Sequence, residues 1–361
     1  MYTGTRSWIR VLACASAGVA AALSWSQSLI WLGTLGGDYS AATAVSADGK
    51  VVVGVAKNTA GQERAFRWTE SDGMKDLGTF GGSDSTASDI SANGKFVVGG
   101  AMNTAGQSRA FLWTESTGMQ DLGTLRGYNN SHATSISEDG KVVIGFVLES
   151  TLSDDGKARA FRWTQASGMQ DLGVLPEYEK KILAFDVSAD GKVVVGYAED
   201  EYGIQHAFRW TEANKLQDLE WTEEGDPSAA YGISEDGKIV VGTAEVEEDE
   251  HLHAIRWTQS SGMQDLGKLR GFNTFLRRIS ADGKVGVGFG MNDEGELRAI
   301  RWTQAGGIED LNVAYASLLK DGSRLESGTG ISSNGRYIVG EGYNAATKRK
   351  EAYLLDTRGK R

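Results

Sequence analysis

The sequence contains very little cysteine, proline and histidine, and each shortage limits the kinds of structure or site that the chain can form. Its 361 residues include one cysteine, two prolines and four histidines. The single Cys14 cannot form a disulfide within the chain. The few histidines, at 132, 206, 251 and 253, give poor support to a Ser/His/Asp catalytic triad. The shortage of proline suits a protein built of strands, because proline cannot donate a backbone hydrogen bond to a sheet.

Basic residues and long apolar runs are also scarce. Lysine and arginine number 37 against 48 acidic residues, giving a net charge of −11, so a nucleic-acid partner is not expected. At the N-terminus Arg6 and Arg10 precede an apolar run at 11–23, and small residues follow. This layout is typical of a secretory signal peptide, since the run is short for a bilayer span. We predict a leader at residues 1–26 and an exported protein; the alternative is a buried or membrane-resting N-terminal helix. No membrane span is expected in residues 27–361.

Two signatures recur along the chain. One is "RAFRWTESDGMKDLG" at 64–78, and the other is "SADGKVVVG" at 46–54. Each occurs seven times, although the last copy of the first is degenerate, and the turn glycines from Gly49 to Gly335 stand 45 to 52 residues apart. A fixed period in this range is the mark of a repeat architecture. The length variation falls between the signatures, so insertions are expected in loops.

Each repeat predicts four short strands. In the first unit these are "ATAVS", "KVVVGVA", "RAFRWT" and "GMKDLG", with Asp-Gly predicting a type I′ turn between the first two. Residues 28–37 align with 73–82 and look like an orphan fourth strand, while the last unit stops after its third strand. We therefore predict an all-β fold: one seven-bladed β-propeller over 27–361, closed by the N-terminal strand pairing with the C-terminal blade.

These motifs resemble those of the HAF family of bacterial extracellular repeat proteins, named for a tripeptide that is present here as His206, Ala207 and Phe208. The resemblance covers the whole chain after the leader, through "RAFRWT", "GMQDLG" and "ISADGKVVVG". It implies an exported or surface-associated protein, in some cases linked to an autotransporter barrel. It implies no catalytic residues, because the family has no established biochemical activity.

Candidate ligand-binding residues lie where the repeat is broken. The loops joining strand two to three, and strand four to the next unit, vary and share one face, which we expect to be the recognition surface. Their extra aromatics are Tyr178, Trp221, Phe272 and Phe275. The tryptophans repeated within "RAFRWT" are expected to be core instead.

Charged residues interrupt the first strand in three units, at Asp89, Asp186 and Arg278. We expect this position to approach the channel mouth, where the charges either meet a polar ligand or satisfy one another. The acidic segment 245–253, with His251 and His253, could hold a cation, but its spacing enforces no ligand set and we predict neither a metal nor a cofactor.

The residues together favour a non-enzymatic, monomeric binding scaffold whose partner is a protein, a glycan or an envelope component. The alternative is a propeller hydrolase or lyase that acts on a polysaccharide through Asp89 and Asp186. That chemistry would require the two carboxylates to lie within about 10 Å of each other.

Overall fold

Strands make up almost all of the regular structure in this computed structural model, which describes residues 27–149, 156–176, 178–219, 227–246 and 251–358. The predicted leader at 1–26 lies outside the described residues. The only helical segments described are the α-helix α1 (Leu311–Ala314) and a 3₁₀ turn at Ala316–Leu318. No described helix has the length and apolar character that crossing a membrane requires. The described chain is all-β.

The first unit shows the local pattern. Its strands are β2 (Gly36–Val45), β3 (Val51–Asn58), β4 (Glu63–Thr69) and β5 (Gly73–Asp76), each antiparallel to the next. Runs of valine and aromatic residues favour extended backbone, and their side chains alternate between the two faces of the sheet. The sequence order of the strands is therefore also their order across the sheet.

The same arrangement recurs along the chain. The further strands, in groups of four, are β6 (Gly81–Ile90), β7 (Val97–Asn103), β8 (Ser108–Thr114) and β9 (Gly118–Asp121); β10 (Asn130–Ile136), β11 (Val142–Leu148), β12 (Ala158–Thr164) and β13 (Gly168–Asp171); β14 (Lys181–Val187), β15 (Val193–Glu199), β16 (Gln205–Thr211) and β17 (Lys215–Asp218); β18 (Ser228–Ile233), β19 (Ile239–Val246), β20 (His251–Thr258) and β21 (Gly262–Gly267); and β22 (Thr274–Ile279), β23 (Val285–Met291), β24 (Leu297–Thr303) and β25 (Gly307–Asp310).

The last unit takes its fourth strand from the other end of the chain. Its own strands are β26 (Arg324–Ile331), β27 (Tyr337–Asn344) and β28 (Arg349–Asp356), and β1 (Ser28–Trp31) pairs antiparallel with β28. The backbone N–H of Leu32 continues the ladder by donating to the carbonyl of Ala352 at 2.9 Å. The position predicted for this segment from the repeat alignment is confirmed.

Packing between units follows the alternation of the third strand. Phe66 and Trp68 lie in a buried cluster that includes Leu354 of the last unit, whereas Ala65 lies in a cluster with Phe111 of the next unit. The repeated tryptophans belong to such clusters, as expected. Each sheet is therefore covered on both faces by neighbouring sheets.

The predicted type I′ turns between first and second strands are wrong. Gly49 has a φ of 75°, but outside glycine the described residues with positive φ are only Lys215 and Lys348, so Asp48 is not left-handed. The N–H of Gly49 donates to the carbonyl of Ser46 at 3.0 Å, and the Asp48 carboxylate accepts from the Ser46 hydroxyl at 2.8 Å and from the Lys50 N–H at 3.0 Å. This side-chain acceptor supports a longer loop in which only the glycine needs positive φ.

Candidate functional site

The first strands of the units all contain a bulge at the same place. In β6 the pairing with β7 shifts between Ala87 and Asp89, and equivalent shifts occur in the first strands of the other units. A bulge inserts one residue that has no partner on the neighbouring strand. The regular alternation of side chains between the two sheet faces is therefore interrupted at this point, and two consecutive side chains change direction. The two resulting rows of residues border two neighbouring cavities.

The cavities open toward opposite faces. We call the side with the repeated Ser-x-Asp-Gly or Ser-x-Asn-Gly turns the turn face, and the side with the variable loops the loop face. The turn-side cavity, of about 120 Å³, is lined by Asp89, Asp186 and Arg278, with Glu138 and Glu235 at its rim. The loop-side cavity, of about 380 Å³, is lined by Thr43, Ser88, Thr134, Phe185, Tyr231, Arg277, Arg278, Phe289, Leu297, Ser327, Thr329 and Glu341.

The three charged residues predicted from the first strands lie together in the turn-side cavity. The Ser135 hydroxyl stands 2.7 Å from Asp89 Oδ2 and 2.8 Å from Asp186 Oδ1. The guanidinium of Arg278 is 3.5 Å from Asp186 Oδ2 and donates to the Tyr231 carbonyl at 3.1 Å. The charges therefore satisfy one another in a continuous network.

The Ser135 hydroxyl lies within hydrogen-bond distance of two carboxylates but has only one proton to donate. A hydroxyl donates only one hydrogen bond, so when both acids are ionised one of its two contacts lacks a proton. Burial raises the pKa of Asp89, and the neighbouring Asp186 carboxylate raises it further while Arg278 opposes the rise. Although burial alone would lower the pKa of Arg278, Asp186 and Asp89 raise it. The network therefore raises the pKa of both Asp89 and Arg278.

The four carboxylate oxygens in this network all accept hydrogen bonds. Besides the contacts above, backbone N–H groups donate to both side chains: Ile90 (2.8 Å) and Ile136 (3.1 Å) to Asp89, and Val187 (3.0 Å) and Ile233 (3.0 Å) to Asp186. The two acids are close enough for the hydrolase alternative, since both contact one hydroxyl. Their engagement with the backbone gives them a structural role, and that alternative is not favoured.

The loop-side cavity has a different chemistry. One wall is aromatic: Phe185 meets Tyr231 edge to face with ring centroids 5.3 Å apart, and Phe289 stacks on Phe275 at 4.8 Å. The guanidinium carbon of Arg277 lies 4.2 Å from the centre of the Tyr231 ring, within the range of a cation–π contact. Burial lowers the pKa of Arg277 and raises that of Tyr231.

The other side of this cavity carries an acid and hydroxyls. Glu341 Oε2 accepts a hydrogen bond from the Tyr39 hydroxyl at 2.7 Å. Thr43 and Thr329 donate to backbone carbonyls of an adjacent unit, at 2.9 Å to Ala87 and at 2.5 Å to Ala42. The threonine hydroxyls thus tie units together, whereas Glu341 is a charged group that lines the cavity.

The remaining predicted aromatics do not converge on either cavity. Tyr178 stacks on His206 with centroids 4.0 Å apart and packs against a buried cluster. Phe272 is 46% exposed and stacks on His251 at 5.6 Å. Phe275 supports Phe289 behind the aromatic wall. Trp221 lies outside the described residues.

Part of the acidic segment 245–253 also lies outside the described residues, at 247–250. His253 is buried, with Nδ1 3.0 Å from both carboxylate oxygens of Asp265. Asp265 also accepts from the Gly267 N–H at 2.6 Å, which is the turn-acceptor role expected of the repeated Asp-Leu-Gly aspartate. Within the described ranges, no group of three or more His, Cys, Asp or Glu side chains is placed to hold a metal ion.

Sequence reasoning missed the row of residues that defines the loop-side cavity. These residues immediately precede the charged row, and simple strand alternation sends adjacent residues to opposite faces. The signal was available in the repeat alignment: four units carry a small hydroxyl residue at this position, and three consecutive units carry a large side chain. The hydroxyls are Thr43, Ser88, Thr134 and Thr329, and the replacements are Phe185, Tyr231 and Arg277.

Comparisons with known proteins define the fold class. No protein-family model and no curated protein matches the chain. The β-propeller domain of the Trilobed protease from Pyrococcus furiosus is 11% identical, with a TM-score of 0.53 over 74% of this chain and 82% of that domain. A prolyl endopeptidase is 11% identical, with a TM-score of 0.55 over 90% of this chain and 51% of the endopeptidase. These similarities show that the chain has a β-propeller fold.

TolB from Acinetobacter baumannii is also similar, at 12% identity and a TM-score of 0.48 over 87% of this chain. The chain spans 65% of that TolB and about half of the prolyl endopeptidase. At such low identities the likeness concerns the fold alone. The chain is a β-propeller protein, and these likenesses assign it no function.

Proposed function

We propose that this chain is a non-enzymatic binding module that recognises its ligand on the loop face. The observation that carries the proposal is the loop-side cavity of about 380 Å³, with an aromatic wall and three charged side chains, Arg277, Arg278 and Glu341. Small-molecule sites are typically concave, largely apolar and about 300–1,000 Å³ in volume, with a few polar groups that fix orientation. The loop-side cavity has this composition.

The proposal includes the finer architecture. The chain is a seven-bladed propeller of the HAF type, closed into a ring by β1. Support comes from the seven copies of the turn signature and from the pairing of Leu29 with Leu355 across the join. Closure removes free sheet edges, which would otherwise pair with other chains.

We also propose that the protein is exported and acts as a monomer in the periplasm, at the cell surface or outside the cell. The layout of residues 1–26 and the family resemblance support export. The acidic net charge of −11 supports a partner other than nucleic acid: a protein, a glycan or an envelope component. The absence of catalysis is supported by the engagement of Asp89 and Asp186 with backbone N–H groups.

The proposal is tested by capture on immobilised protein with face-specific variants. Purified chain is exposed to a bacterial envelope extract, and retained molecules are identified by mass spectrometry. Leu297→Trp fills the loop-side cavity from its partly exposed edge, and Lys95→Trp adds the same side chain on the turn face. Circular dichroism verifies that both variants fold.

We expect the wild-type protein and Lys95→Trp to retain the same component, and Leu297→Trp to lose it. The component should be recovered chemically unchanged. If Leu297→Trp retained the component and Lys95→Trp lost it, recognition would lie on the turn face and the proposal would be contradicted. Conversion of the component into a product would contradict a non-enzymatic role.

A further inference from the structure

Arg277 is a partly buried cation that has no carboxylate within ion-pair distance among the described residues. Several other partly buried arginines are paired: Arg298 lies 3.6 Å from Asp310, and Arg336 lies 2.9 Å from Asp356. Its neighbour Arg278 has Asp186 at 3.5 Å. Buried charges are ordinarily paired, so Arg277 is the cation in this site that a ligand can still neutralise.

The aromatic contacts of Arg277 leave its guanidinium N–H groups available to a ligand. Its guanidinium carbon lies 4.2 Å from the Tyr231 ring centre, 5.4 Å from that of Phe289 and 5.8 Å from that of Phe275. A stacked guanidinium places its flat face against the ring. Its N–H groups lie in the guanidinium plane and can donate two parallel hydrogen bonds to a carboxylate, a bidentate contact. The described residues accept no hydrogen bond from these groups.

The walls around Arg277 favour a flat apolar group on the same ligand. Phe185, Tyr231 and Phe289 line the cavity, and the rings of Tyr231 and Phe289 lie beside the guanidinium. Ring pairs gain stability from offset or edge-to-face contacts beyond the burial of apolar area. An aromatic group next to a carboxylate would meet both features together.

Glu341 restricts the charge of the ligand. It lines the same cavity, accepts from the Tyr39 hydroxyl at 2.7 Å, and has no basic side chain within ion-pair distance among the described residues. An acid in this position repels ligands that carry several negative charges. It attracts an ammonium group if the ligand has one.

We propose that the loop-side cavity binds a small aromatic monocarboxylate, with the carboxylate on Arg277 and the ring against Tyr231 and Phe289. The ligand is a free aromatic acid or an aromatic α-amino acid, and in the second case its ammonium group faces Glu341. This inference rests on the proposed binding function and names its ligand class.

The test uses isothermal titration calorimetry on the purified chain with defined probes. The probes are 3-phenylpropionate, phenylalanine, the neutral 3-phenylpropanamide and the non-aromatic butanoate. We expect 3-phenylpropionate to bind at least about tenfold more tightly than the amide and than butanoate, which is a difference of about 1.4 kcal/mol. If phenylalanine binds more tightly than 3-phenylpropionate, the ligand is an aromatic α-amino acid. If 3-phenylpropionate binds more tightly, the ligand is a free aromatic acid.

Variants assign the carboxylate to its partner. Arg277→Gln should weaken 3-phenylpropionate at least about tenfold and abolish the preference over the amide. Arg324→Gln is the matched control, because Arg324 also lies over an aromatic ring, at 5.3 Å from the Tyr343 centre, but does not line the cavity. It should leave affinity unchanged. Leu297→Trp, which leaves Arg277 intact, should also abolish binding.

Two results would overturn the inference. One is equal affinity of wild-type protein for 3-phenylpropionate and its amide. The other is the absence of saturable binding of 3-phenylpropionate and phenylalanine below about 10 mM. If the envelope component is still captured on the loop face while these probes fail, only the ligand class is wrong. If both experiments fail, the binding function itself is wrong.

Discussion

Substitution of Leu32 by alanine should open the join between the two ends of the chain before the rest of the protein unfolds. Leu32 is 6% exposed and packs in a cluster with Phe66 and Leu354, and its N–H donates to the Ala352 carbonyl at 2.9 Å. The strand that it extends is held to β28 only by non-covalent contacts, since almost the whole chain separates the two in sequence. Loss of its side chain therefore weakens the closure directly.

The expected magnitude follows from the burial of this side chain. A buried Leu→Ala change costs about 2–5 kcal/mol, from lost transfer energy plus the cavity that remains. Each 1.4 kcal/mol is a factor of ten in an equilibrium constant, so the opening of the join should become about 30- to 4,000-fold more favourable. Opening of this kind is a local event that native-state hydrogen exchange detects.

The assay compares Leu32→Ala with Leu122→Ala. Leu122 occupies the equivalent repeat position, is 7% exposed, and donates its N–H to the Ala110 carbonyl at 2.9 Å, but its strand is covalently continuous with its own unit. Amides of β1 and of the β28 edge should lose protection selectively in Leu32→Ala, and not in Leu122→Ala. The same pattern of exchange in both variants would refute the reasoning.

Two further predictions concern the first strands and the repeated glycines. Because burial raises the pKa of Asp89, the stability that this carboxyl contributes is present below its ordinary pKa and is lost as the pH rises through the raised value. Asp89→Asn should therefore cost less unfolding free energy at about pH 7 than at about pH 4 in urea titrations, and a cost independent of pH would contradict this. Gly288→Ala should cost more than about 4 kcal/mol or prevent folding, because its Cβ would stand 1.8 Å from the Phe275 carbonyl oxygen, a backbone atom that cannot move aside. Gly123→Ala, at φ +81° with no atom within 4 Å of the added Cβ, should cost only about 1–2 kcal/mol in the same measurement.

The sequence was sufficient to predict strand grouping and the position of the closing segment, because both are encoded by repetition and by side-chain alternation. It was insufficient at Asp48, where the turn depends on how a carboxylate competes for two nearby donors. It placed Asp89, Asp186 and Arg278 at one repeat position, and the three side chains line the turn-side cavity. It missed the row beside them, since only the bulge in each first strand turns adjacent residues toward neighbouring cavities.

The residue that stability alone does not explain is Arg277. At the same position in other units, Thr43, Thr134 and Thr329 donate to carbonyls of adjacent units, and each such bond contributes about 0.5–1.5 kcal/mol. Where an aromatic residue replaces the hydroxyl, ring pairs worth about 0.5–1.5 kcal/mol offset the loss. The arginine removes the tie between units and adds a partly desolvated charge, which contacts three aromatic rings but no carboxylate among the described residues. A ligand carboxylate would supply the missing partner. Pairing it with Arg277 would relieve the cost of the unpaired charge, and this gain would add to the binding free energy of the ligand.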